Sequence, residues 1–76
     1  MGQKEIIDVL KKAKRPMSAR EISEELKEPF HKICVNLNRL VKFKEVEVIE
    51  IDRWKARLLY NNSNIKRRMR LYLVLY

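Results

Sequence analysis

The side chains with the most chemistry to offer lie between residues 29 and 43. His31, Lys32, Val35, Arg39 and Lys42 share one face of a helical wheel there, flanked by Asn36 and Asn38. Imidazole, ammonium, guanidinium and carboxamide groups donate hydrogen bonds and carry positive charge, so together they suit a polyanion. Catalysis is a poor match. No nucleophile–base pair and no glycine-rich phosphate loop accompanies them, and an enzyme is not expected. His31 and Cys34 are the only histidine and cysteine, and no carboxylates at matched spacing join them, so neither a metal nor a cofactor is expected. Cys34 falls on the apolar side, where a small packing role outweighs redox chemistry. A single cysteine also excludes an internal disulfide and fits a reducing compartment.

The element that must carry this face is amphipathic. Phe30, Ile33, Cys34, Leu37, Leu40 and Val41 line its other side, so the spacing predicts a helix over about 29–43. Pro29 is placed at its first position, where a missing N–H does no harm. The preceding helix has two start signals. Ser18 and Glu21 form an S-x-x-E capping box, and Met17 with Ile22 forms a hydrophobic staple across it. Ala19, Ile22 and Leu26 face inward, while Glu21, Glu24 and Glu25 form an outward, solvated acidic strip. Lys27-Glu28 is the turn between the two helices. Earlier still, Ile6, Val9, Leu10 and Ala13 mark a scaffold helix over 3–14, which Arg15-Pro16 ends.

After residue 43 the period changes from helical to two. Val46 and Val48 alternate with Glu45 and Glu47, and Ile49 and Ile51 extend the β-branched run. Asp52-Arg53-Trp54 is expected to turn and Lys55–Tyr60 to return, giving a β-hairpin over 45–60 whose tip lacks glycine. Asn61–Asn64 is a loop. Residues 64–76 read both as a helix and as a strand; the helix is preferred because Lys, Arg, Met and Leu favour it. With 76 residues, the chain is one domain: a core over 3–60 and a C-terminal segment over 64–76.

Charge narrows the partner. The formal net charge is +8. Residues 1–28 hold seven basic and six acidic side chains, net +1, whereas residues 29–76 hold eleven and four, net +7. A field so concentrated argues for a polyanionic partner. The N-terminal residues lack the apolar stretch of a signal peptide, and the apolar run from Leu71 to Tyr76 is too short to cross a bilayer. A cytoplasmic protein is expected, with no membrane partner.

The order helix, extended piece, helix, tight turn, helix, hairpin resembles the winged helix-turn-helix family, and looks most like the small MarR-type and ArsR-type transcriptional regulators. The resemblance covers residues 3–60. Its most specific part is SAREISEEL, residues 18–26, followed at the expected distance by Ile33, Leu37 and Leu40. The chain departs from the family in three places. Lys27-Glu28 stands where the turn often has glycine and a following apolar residue, with Phe30 as the substitute anchor. Pro29 replaces a Ser or Thr cap, and the wing tip has no glycine.

The resemblance implies an α+β fold with a three-helix core, a β-hairpin wing and a C-terminal dimerisation helix. It further implies sequence-specific binding of double-stranded DNA by a transcriptional regulator that is nucleoid-associated when bound, with helix 29–43 in the major groove. Base contacts are then expected from His31, Lys32, Val35, Asn36 and Arg39: Arg39 suits guanine, Asn36 adenine and Val35 a thymine methyl. Backbone contacts are expected from Ser18, Arg20 and Lys42, and from Arg53, Lys55 and Arg57 on one strand face of the wing. Trp54 is expected to cover the edge of the core. Met69, Leu71, Tyr72, Leu73, Leu75 and Tyr76 are the expected homodimer interface, since LYLVLY is too apolar to leave exposed. No small-molecule effector is evident. Two alternatives stay open: a winged-helix protein-interaction module or small subunit of a nucleic-acid-processing complex, and an RNA-binding protein.

Overall fold

A computed structural model describes residues 3–74. The elements run α1 (Gln3–Ala13), α2 (Ala19–Leu26), α3 (Phe30–Lys42), β1 (Glu47–Ile51), α4 (Arg53–Tyr60) and β2 (Met69–Leu73). The fold is α+β, with four helices and one two-stranded antiparallel sheet among the described residues.

The first three helices follow their apolar periodicity. α1 buries Ile6 and Leu10, with Ile7, Val9 and Ala13 packed beside them. Lys14 then turns left-handed, at φ 55°, and Pro16 keeps the chain extended. At α2 the capping box forms in full: the Glu21 amide donates to Ser18 Oγ at 3.2 Å, and the Ser18 amide donates to Glu21 Oε1 at 3.1 Å. Both staple residues, Met17 and Ile22, enter the core. Lys27, at φ 56°, closes α2 in the left-handed region where glycine is usual. Pro29, expected as the first helical residue, is instead the N-cap of α3, and the helix begins one place later at Phe30. α3 buries Ile33, Leu37 and Leu40, while Val41 packs at the margin.

These side chains meet in one core with Val46 and Tyr72. Phe30 is not the anchor the sequence suggested. It is 46% exposed, and the Arg20 guanidinium lies 5.3 Å from its ring centre.

The second half departs from expectation twice. Residues 55–60 are not a strand. Asp52 caps α4 by accepting a 2.8 Å hydrogen bond from the Lys55 amide, and the helix runs to Tyr60 with Asn61 left-handed at its end. Nor do the described residues of the C-terminal segment, 64–74, form the expected dimerisation helix: Met69–Leu73 is a strand that returns beside β1, pairing Val48 with Tyr72 and Glu50 with Arg70. Met17 adds one more rung on the other edge of β2, exchanging 2.9 and 2.8 Å hydrogen bonds with Tyr72. β1 and β2 are therefore separated by an excursion that contains α4, rather than by a tight tip.

The strand also changes the fate of the expected dimer interface. Leu71 and Tyr72 are 2% and 8% exposed and packed within their own chain. Met69 and Leu73 are half-buried. Leu75 and Tyr76 lie outside the described residues.

Candidate nucleic-acid interface

α2, the three-residue connection and α3 form a helix pair that turns one face of α3 into the core and leaves the other uncovered. His31, Lys32, Val35, Arg39 and Lys42 are all exposed on that outer face. Among the described residues His31, Arg39 and Lys42 face no carboxylate partner. Lys32 is paired with Glu28 at 3.6 Å, one helical turn away. Such an exposed pair is weak, so Lys32 is only loosely held. The two asparagines divide differently from expectation. Asn36 is half-buried and Asn38 is exposed, so Asn38 is the freer carboxamide.

Asn38 also looks onto the basic segment at residues 64–70. With Arg20, Phe30, Lys66, Arg67 and Arg70 it lines an open groove of about 770 Å³ along the flank of α3. The run Lys66-Arg67-Arg68 and Arg70 is legible in the sequence as a concentration of charge, within the segment expected to form a dimerisation helix. Its placement beside α3 follows from β2 pairing with β1, a long-range contact that no local pattern encodes. Glu50 binds two members of the run, Arg68 and Arg70, each at 3.4 Å. Lys66 and Arg67 have no such partner among the described residues.

Three expected backbone contacts are placed differently. Arg53, Lys55 and Arg57 do not share a strand face. Arg53 and Arg57 both lie over Trp54, at 5.1 and 4.7 Å from its ring centre. Arg57 is half-buried, and its Nε donates to the Ile65 carbonyl at 2.7 Å, tying α4 to the start of the basic segment. Lys55 remains exposed on α4. Trp54 does not cover the core; it is 60% exposed. Ser18 is engaged by the capping box, and the Glu21 carboxylate sits at that helix end, where it opposes a second anion. Arg20 is exposed at the mouth of the groove.

Glu21 is also more than part of a solvated strip. Its carboxylate pairs with Arg15 at 2.9 Å and accepts a hydrogen bond from the Tyr60 hydroxyl, so one side chain joins the linker, α2 and α4. Burial alone would raise the Glu21 carboxyl. Hydrogen bonds from Tyr60, the Ser18 amide and Arg15, with the Arg15 charge, outweigh burial and hold it below its ordinary value. Burial and the neighbouring Glu21 push the Tyr60 phenol up to about 12. Burial likewise raises Tyr72.

Among the described residues no group of three His, Cys, Asp or Glu side chains is placed to hold a metal ion. No helix among them is long and apolar enough to cross a membrane. Comparison with protein-family models, with curated proteins and with solved structures finds no match to the chain.

Proposed function

We propose that the protein binds double-stranded DNA as a winged helix-turn-helix transcriptional regulator, with α3 in the major groove and the β1–α4–β2 excursion as its wing. A helix fits the major groove, and side chains on its outer face reach base edges. One observation carries this reading. The outer face of α3 offers His31, Asn38, Arg39 and Lys42 free of carboxylate partners among the described residues, and the basic segment at 64–70 runs along the flank of that helix. Arg39 and Asn38 are the specifying groups. Arg20, Lys42, Lys66 and Arg67 are the phosphate-binding groups that set the register.

The test is titration of duplex DNA pools with wild type, Arg39→Ala and Lys66→Ala. Arg39→Ala should relax a base preference by about 1–3 kcal/mol at one position, as expected for loss of a bidentate pair. Lys66→Ala should weaken all sequences alike. Equal binding of all sequences by wild type would remove the claim of sequence readout.

A protein-docking role is the second reading, and exposed Leu58 and Leu59 on α4, at 84% and 63%, favour it. With Phe43, Val48 and Ile49, they are also part of the exposed apolar surface available for pairing with a second copy, now that Leu71 and Tyr72 are internal. A docking module would bind DNA weakly and without preference in the same titration.

A further inference from the structure

We propose that the cleft beside Trp54, on the far side of the basic segment from α3, holds an unpaired nucleic-acid base stacked on the indole. The flanking phosphates lie on Arg53, Lys66 and Arg67. This site shares Lys66 and Arg67 with the proposed duplex surface, but uses Trp54 and Arg53 in place of the outer face of α3.

Four observations converge on it. Trp54 is 60% exposed as a whole residue, even with two guanidiniums over its ring. Those guanidiniums, Arg53 and Arg57, hold the ring in place at 5.1 and 4.7 Å. Arg57 is itself fixed to the Ile65 carbonyl, so the indole is positioned relative to the basic segment before any ligand arrives. The cleft measures about 600 Å³ and is shared by Trp54, Arg53, Lys66 and Arg67. That volume lies in the range of small-ligand sites, which run from about 300 to 1,000 Å³.

The carboxylates in the cleft are already occupied. Glu50 binds Arg68 and Arg70, and Asp52 caps α4. Arg53, Lys66 and Arg67 are left to bind anions, among the described residues.

The pairing of an aromatic face with cations selects the ligand. A duplex presents its phosphates but keeps its interior bases stacked on one another, so it cannot use the indole. A single strand offers both a free π-face and phosphates, which is how single-strand sites combine stacking with charge. An acidic peptide would satisfy the cations and leave the ring unused. In the sequence, Trp54 and the basic run are separated by the rest of α4 and the loop after it, so the aromatic and basic residues do not look interleaved. The fold brings them to one cleft.

Trp54 is the only tryptophan, so its emission reports the site directly. Oligothymidylate and oligouridylate of about eight nucleotides, within the usual site size, are the probes. Both should quench Trp54 emission: they differ at the 2′-hydroxyl and at the C5 methyl of the base, and a site that works by stacking and charge accepts either. A duplex of equal length should bind without quenching.

Labelled oligothymidylate should bind Trp54→Ala roughly 5- to 150-fold more weakly, the usual cost of one lost base stack. Trp54→Phe should retain most of the affinity. The indole is mostly exposed, so these variants should keep the wild-type far-ultraviolet circular dichroism. Arg39→Ala should leave oligothymidylate binding unchanged while altering duplex recognition, which separates failure here from failure of the α3 reading. Absence of binding or quenching, unchanged affinity in Trp54→Ala, or equal displacement by polyglutamate would each overturn the proposal.

Discussion

Replacing Tyr60 with phenylalanine removes one oxygen and, with it, the hydrogen bond from α4 to Glu21. A hydrogen bond to a charged partner contributes about 1.5–3 kcal/mol. Here the Glu21 side chain keeps 24% of its exposure, and Arg15 and the Ser18 amide still hold it after the change. Water and those partners recover part of the loss, leaving an expected cost of about 1–1.5 kcal/mol. A domain of this size has a total stability of roughly 4–11 kcal/mol. The midpoint of thermal unfolding should therefore fall by about 4–12 °C, read by circular dichroism near neutral pH.

The effect should also depend on pH. The folded phenol titrates at about 12, above its ordinary value of 10. Its protonated form is the stabilising one, so the contribution is complete below pH 10 and disappears as pH rises through 12. The difference between wild type and Tyr60→Phe should shrink over that window. Equal midpoints near neutral pH, or a difference that persists unchanged above the folded pKa, would refute the contact between α4 and α2.

Glu21 gives the opposite limb. Its carboxyl is held below the ordinary 4.5, so the ionised form stabilises the fold above that value and its contribution is lost as pH falls through the folded pKa. Glu21→Gln should flatten the acid side of a plot of urea midpoint against pH. Asp52→Ala removes the cap of α4 and should cost about 0.5–2 kcal/mol, with faster hydrogen exchange at the Lys55 amide, the group that Asp52 binds. Leu37→Ala empties the middle of the core, where Leu37 is fully buried. Its cost of about 2–5 kcal/mol should take up much of the total stability and be visible as partial loss of helical signal at ambient temperature.

The first half of the molecule was legible because its signals are local. Ser18 and Glu21 identify a helix start through the backbone groups they satisfy, and Ile33, Leu37 and Leu40 identify a buried face by spacing alone. The outer face of α3 is simply the remainder, so most of its exposed residues could be named in advance. Residues 53–60 depart from the expected hairpin because the strand that pairs with β1 is not the next segment of the chain. Asp52 is a good cap, Lys55, Ala56, Arg57, Leu58 and Leu59 include strong helix formers, and the absence of a turn glycine was itself the warning.

Residues 69–73 illustrate the converse. Their propensity favours a helix, but pairing with β1 and Met17 satisfies their backbone and buries Leu71 and Tyr72. Such partners are distant in sequence and override local preference. The site inherits both errors. Arg57 proved to be a brace, Trp54 an exposed ring, and the basic run a neighbour of α3.

The salt dependence of duplex binding tests the central claim most directly. Arg20, Arg39, Lys42, Lys66 and Arg67 are exposed and free of carboxylate partners among the described residues. If the four assigned to phosphates, Arg20, Lys42, Lys66 and Arg67, meet them as proposed, the logarithm of the affinity should fall against the logarithm of salt concentration with a slope of about −3.5. Replacing Lys66 and Arg67 together by alanine should make that slope shallower by about 2. A slope near zero, or one that the double replacement leaves unchanged, would contradict a DNA-binding surface formed by α3 and the basic segment.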